Sequence, residues 1–126
     1  MHTFEILFSL IIYINKKEKN NGHSKPIFCF KVANDTKLIS ASSDSLIKVW
    51  DLNDFNLLAN LEGHSDIICT IKKMSDNRLV SGSYDRKIKI WCLLKYVCIQ
   101  TLTGWNININ CVLIFVFVSN LNKYRA

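Results

Sequence analysis

With 126 residues, 49% of them apolar, the chain is long enough to bury a real hydrophobic core. Its charge of +6 comes from 13 Lys and 3 Arg spread along the sequence, with no aromatic-plus-Arg stacking pattern, which argues against a dedicated nucleic-acid surface. Five cysteines (Cys29, Cys69, Cys92, Cys98 and Cys111) contain no CxxC pair and no His at zinc-ligand spacing; the composition implies no metal, no cofactor, and reduced thiols in a cytoplasmic or nuclear protein.

Residues 1–21 are an apolar run followed by a charged, Asn-rich linker. The apolar part, residues 4–14, is too short for a membrane span of about 20 residues and lacks the basic flank and cleavage site of a signal peptide. From Gly22 the pattern turns to short strands. Strands are predicted over 27–32, 37–42, 46–52 and 56–61, separated by Asn34-Asp35, Ser43-Asp44-Ser45 and Asn53-Asp54 turns. A second set follows over 67–72, 78–83, 87–93 and 97–102, with Ile88 and Ile90 on one face of their strand. After Gly104 the pattern decays. Trp105 stands where a His is expected, and the apolar residues 109–118 run through the place for a polar turn while again falling short of a span.

The two strand sets are copies of one another at a spacing of 41 residues. Gly22-His23 recurs as Gly63-His64, Asp44 as Asp85 and Trp50 as Trp91; fourteen of 31 ungapped positions from Gly22 to Leu52 are identical. A period in the low forties, with Gly-His near its start and Trp near its end, marks a four-stranded propeller blade. The fold expected is therefore all-β: two four-stranded antiparallel blades of an incomplete propeller. The organisation is 1–21 unmatched, 22–62 the first repeat, 63–103 the second, and 104–126 a degenerate third start with an apolar tail.

The phrases Ser40-Ala41-Ser42-Ser43-Asp44-Ser45-Leu46-Ile47-Lys48-Val49-Trp50-Asp51 and Ser81-Gly82-Ser83-Tyr84-Asp85-Arg86-Lys87-Ile88-Lys89-Ile90-Trp91-Cys92 resemble the repeat ending of the WD-repeat (beta-transducin-like) propellers. That resemblance implies a hydrogen-bonded tetrad in each blade, His23, Ser40, Asp44 and Trp50, then His64, Ser81, Asp85 and Trp91. Cys92 departs from the terminal Asp of the family pattern. The resemblance also implies partner contacts on the narrow rim, at Pro26, Phe28 and Ser43 in the first blade and at Ile67, Cys69 and Tyr84 in the second, with the aromatics Phe28 and Tyr84 as anchors.

Ser, His and Asp together also suggest a nucleophilic triad. Their duplication in register, each time with a Trp and without a glycine-framed nucleophile turn, is what a structural brace predicts. No catalytic residue is assigned. The function expected is a non-enzymatic scaffold or adaptor that binds protein partners through the blade rim, without a small-molecule substrate and without a membrane. Two other readings stand beside it. One is a fragment of a longer WD-repeat protein, whose open blade faces would make the chain self-associate. The other is a weak nucleic-acid binder through scattered lysines, which steep salt dependence would reveal.

Overall fold

The computed structural model describes residues 22–75 and 77–103, which form eight strands and no helix. Strands β1 (Ile27–Ala33), β2 (Lys37–Ser42), β3 (Ile47–Asp51) and β4 (Leu57–Leu61) make one antiparallel sheet in chain order. Strands β5 (Ile68–Ser75), β6 (Arg78–Ser83), β7 (Ile88–Cys92) and β8 (Val97–Leu102) make the second in the same way. Each sheet is a blade. The sequence features assigned to residues 1–21 and 104–126, Trp105 among them, lie outside the described residues.

Turn chemistry explains where the strands end. Asn34 and Asp35 take φ of 54° and 56°, and Thr36 N–H returns to the Ala33 carbonyl at 3.2 Å. This is the primed two-residue turn whose twist matches a hairpin, at residues that tolerate left-handed backbone. The third strands start one residue later than the sequence suggests, at Ile47 and Ile88. The preceding amides, of Leu46 and Lys87, donate to the carboxylates of Asp44 and Asp85 at 3.0 and 2.9 Å. β5 runs to Ser75, beyond the expected 72: the ladder resumes at Ser75–Arg78 after an irregularity, and Met74 packs beside Val80, Ile88 and Ile90.

The alternation of each strand gives a blade two apolar faces. Ile39, Ala41, Ile47 and Val49 of the first blade meet Leu79, Trp91 and Leu93 of the second in a shared core, with β1 lying beside β5. Lys37 of β2 crosses to the second blade, where its Nζ donates to the Leu93 carbonyl at 3.3 Å and stands 5.1 Å from the Tyr96 ring centroid. Leu38 and Trp50 form the core on the far face of the first blade, and Val80, Ile88 and Ile90 that on the far face of the second. All five are buried. Ring and aliphatic neighbours such as Phe30 and Leu57 on one face, and Met74 and Leu102 on the other, pack over them.

Gly63 lies between β4 and β5, in the segment that joins the blades. Its φ is +157°, and a Cβ there would stand 3.3 Å from both Trp91 Cη2 and Lys89 Cε. Gly63→Ala therefore meets unfavourable backbone and crowding together, and is expected to destabilise by about 1–2 kcal/mol in urea unfolding. An unchanged midpoint would show that Trp91 and Lys89 yield without cost.

Candidate functional site: twin buried tetrads beneath a blade rim

Four elements converge in each blade. In the first, His23 comes from the loop before β1, Ser40 from β2, Asp44 from the β2–β3 turn and Trp50 from β3. Leu38 pairs with Trp50 and Ser40 with Lys48, so Ser40 and Trp50 project from one face on adjacent strands. The Trp50 indole N–H donates to Ser40 Oγ at 3.0 Å. His23 Nε2 lies 2.7 Å from the same oxygen, and His23 Nδ1 is 2.9 Å from Asp44 Oδ2. Asp44 also accepts the backbone N–H of Ser24 at 3.0 Å.

The second blade repeats this. Trp91 Nε1–H donates to Ser81 Oγ at 2.8 Å, His64 Nε2 is 2.7 Å from Ser81 Oγ, and His64 Nδ1 is 2.8 Å from Asp85 Oδ2. Ser65 N–H donates to Asp85 at 3.0 Å. The His64 and Trp91 rings meet edge-on with centroids 6.2 Å apart. All eight tetrad residues named from the sequence are thus brought together, four and four.

Burial sets the electrostatics. Both imidazole side chains have no exposed surface. Burial is the largest influence and pushes both histidine pKa values below the ordinary 6.5, while the facing carboxylates oppose it. For Asp44 and Asp85 burial works to raise the pKa. It is outweighed by the donors around each carboxylate, chiefly Leu46 N–H and His23 for Asp44 and His64 for Asp85, so both stay below the ordinary 3.8.

Two further pairs belong to the site and were not singled out from the sequence. Ser42 and Ser83 are fully buried. Ser42 Oγ donates to the Lys25 carbonyl at 3.0 Å and accepts Asp44 N–H at 3.0 Å; Ser83 Oγ does the same with Asp66 and Asp85 at 3.2 and 3.1 Å. Their recurrence among the fourteen identities was the available signal. Lys48 and Lys89, two of the lysines scattered along the sequence, are only 4% and 9% exposed. They donate across the sheet to Asn60 Oδ1 at 2.7 Å and Thr101 Oγ1 at 3.0 Å.

The distances from serine to imidazole to carboxylate are those of a nucleophilic triad, yet the surroundings differ. Ser40 is 1% exposed and Ser81 0%, and each hydroxyl oxygen already carries an indole N–H. A substrate carbonyl cannot approach a nucleophile that is walled in by its own tryptophan.

The rim above the tetrads holds the other candidates. Phe28 is the extra residue at an irregularity of the β1–β2 ladder, and Cys69 occupies the equivalent place in β5. Phe28 is 54% exposed and Tyr84, in the β6–β7 turn, 42%. Pro26 is exposed; Ser43, Ile67 and Cys69 are half-buried. The turns are tied to the loops before β1 and β5 by Ser43 N–H on the Pro26 carbonyl at 3.1 Å and Tyr84 N–H on the Ile67 carbonyl at 2.9 Å. At the opposite end, Cys92 takes over a turn that Asp51 closes in the first blade by accepting Asn53 N–H at 2.7 Å. The N–H groups of Lys95 and Leu94 face its sulfur and hold the thiol below its ordinary range.

The sequence profile described as WD domain, G-beta repeat matches residues 15–51 and 55–92. The chain belongs to the WD40 family. The second match takes in β4 together with β5, β6 and β7, so the WD40 sequence unit is one strand out of phase with the sheet it builds. Among solved structures, that of U3-55K superposes with a TM-score of 0.63 at 28% identity, over 68% of this chain and 27% of that one. The RRP9 WD40 repeats give 0.65 at 27% identity, over 71% and 28%. The WD40 beta propeller domain of Doa1 gives 0.62 at 30% identity, over 65% and 28%. The chain thus spans little more than a quarter of the length of these WD40 chains. A comparison with curated protein sequences found no match.

Proposed function

We propose that the chain is a non-catalytic scaffold whose blades present a protein-binding rim, with Phe28 and Tyr84 as anchors. WD40 propellers generally mediate protein–protein interactions. The observation that carries the reading to these residues is the exposure of two large aromatics at the tetrad end of neighbouring blades, where the turns are hydrogen-bonded to the loops before β1 and β5. Rigidly held aromatics lose little entropy when a partner covers them. Pro26, Ser43, Ile67 and Cys69 complete the contact surface in this reading. In a pull-down from cell extract, Phe28→Ala and Tyr84→Ala should lose partners that Lys31→Ala retains. Lys31 is the suitable control because it is exposed and lies in mid-strand, whereas Lys48 is buried. Identical captures by all three variants would overturn the rim assignment.

A second reading is favoured by the faces of the two blades: the pair works joined to further blades, in the same or another chain. The Leu38–Trp50 face and the Val80–Ile90 face repeat the two halves of the match that already packs the blades together. Adding blades should raise the unfolding midpoint; a lone chain that sediments as a sharp 14.5 kDa monomer and unfolds cooperatively would contradict it. The nucleic-acid reading loses Lys48 and Lys89, whose ammonium groups are turned to Asn60 and Thr101.

A further inference from the structure

The two tetrads have a direction. Ser40 and Ser81 each accept an indole N–H, which leaves the hydroxyl proton to donate to imidazole Nε2. Each imidazole then carries its single N–H on Nδ1, facing the carboxylate. Every donor and acceptor is matched, and the ring is neutral. A proton added at Nε2 puts two donors, ring N–H and indole N–H, on one serine oxygen and turns the hydroxyl proton out into a buried site without that acceptor.

The charges around each ring pull in opposite directions. His23 faces Asp44 from the β2–β3 turn and Lys48 from β3; His64 faces Asp85 and Lys87 from the β6–β7 turn and Lys89 from β7. In each case burial is the strongest influence, the carboxylate favours the proton, and the lysines disfavour it. What these rings hold is also local. The loop before β1 is tied down by Ser24 N–H on Asp44, the Ser42 hydroxyl on the Lys25 carbonyl, and Ser43 N–H on the Pro26 carbonyl. The loop before β5 repeats these ties through Ser65, Ser83 and Tyr84. The shared core of Ile39, Val49, Leu79 and their neighbours is built of apolar side chains, Trp91 among them, whose indole N–H reaches Ser81.

We propose that the tetrads form an acid-released latch: protonation of His23 and His64 frees the loops before β1 and β5 and their facing turns from the sheets, while the blade core stays folded. The folded-state pKa values are lowered, so the latch is fully closed above the ordinary histidine value of 6.5 and opens as pH falls below it through the folded value. Asp44 and Asp85, held below 3.8, act only in a second, more acidic range. The freed segments carry Pro26, Ser43, Ile67 and Tyr84, so pH gates the rim; this consequence alone rests on the rim-binding reading.

Hydrogen exchange followed by NMR on the whole chain between about pH 7.5 and about pH 5 tests the latch, with rates expressed as protection factors to remove intrinsic pH dependence. The amides of Ser24, Leu46, Ser65 and Lys87 should lose protection at least ~10-fold, while those of Ile39 and Val80 keep theirs. Lys48→Met should shift the Ser24 and Leu46 transition to higher pH and leave that of Ser65 and Lys87 in place. Latch amides that stay protected at about pH 5, or core amides that open at the same pH, would overturn the proposal. Partner capture across the same range separates the two readings. Capture that persists after the loops have opened overturns the rim assignment and leaves the latch standing.

Discussion

Trp91→Ala is expected to destabilise the chain by about 3–5 kcal/mol, the range for removing a large buried aromatic from a core. Trp91 is buried in the core shared by the two blades, lies against Gly63, and donates its indole N–H to Ser81. Truncation leaves a cavity at the interface and removes the donor that directs the Ser81 hydroxyl towards His64. Trp91→Phe separates the two effects, since it keeps most of the volume and loses only the N–H; its cost should fall near 1–2 kcal/mol. Urea unfolding at neutral pH measures both. A Trp91→Ala cost under about 1 kcal/mol would mean that the blades do not rely on their common core.

The second large effect is expected at Asp85. Its carboxylate accepts His64 Nδ1–H, Ser65 N–H and Lys87 N–H, so Asp85→Ala strands one buried donor and two at the rim. Hydrogen bonds to a charged acceptor contribute about 1.5–3 kcal/mol each, and the rim amides can recover water, which places the net loss near 2–4 kcal/mol. Asp85→Asn, which retains an acceptor oxygen, should cost less. The same pair of substitutions at Asp44 should rank in the same order. Reversal of that order would show that the acceptor oxygen does not govern the turn.

The blades were legible in the sequence because several local signals coincide at one spacing. Asn34-Asp35 marks a turn, Ile88 and Ile90 alternate with lysines, and Gly-His and Trp recur 41 residues apart. β2, β6 and β8 have the bounds expected of them. Strand ends were less legible where a side chain captures a backbone amide: Asp44 and Asp85 take the N–H groups of Leu46 and Lys87, a competition that propensity does not record. Ser42 and Ser83 were in plain view as repeated residues, but a serine beside a turn reads as solvent-facing until its carbonyl partner in the loop before the blade's first strand is known. Lys48 and Lys89 were illegible for a related reason. Alternation places them on the Trp face, and only the cross-strand neighbours Asn60 and Thr101 show how a buried ammonium is satisfied.

The central claim is that Ser40, His23 and Asp44, with their copies Ser81, His64 and Asp85, brace blades and do no chemistry. Ser40→Ala and Ser81→Ala, compared with the unaltered chain for thermal unfolding and for turnover of ester and amide substrates, test this most directly. The account predicts that each variant melts at a lower temperature, because His Nε2 and the indole N–H lose their common partner at a buried site. It predicts no serine-dependent turnover in any of the three proteins. Turnover in the unaltered chain that one serine substitution abolishes while the melting temperature holds would contradict it.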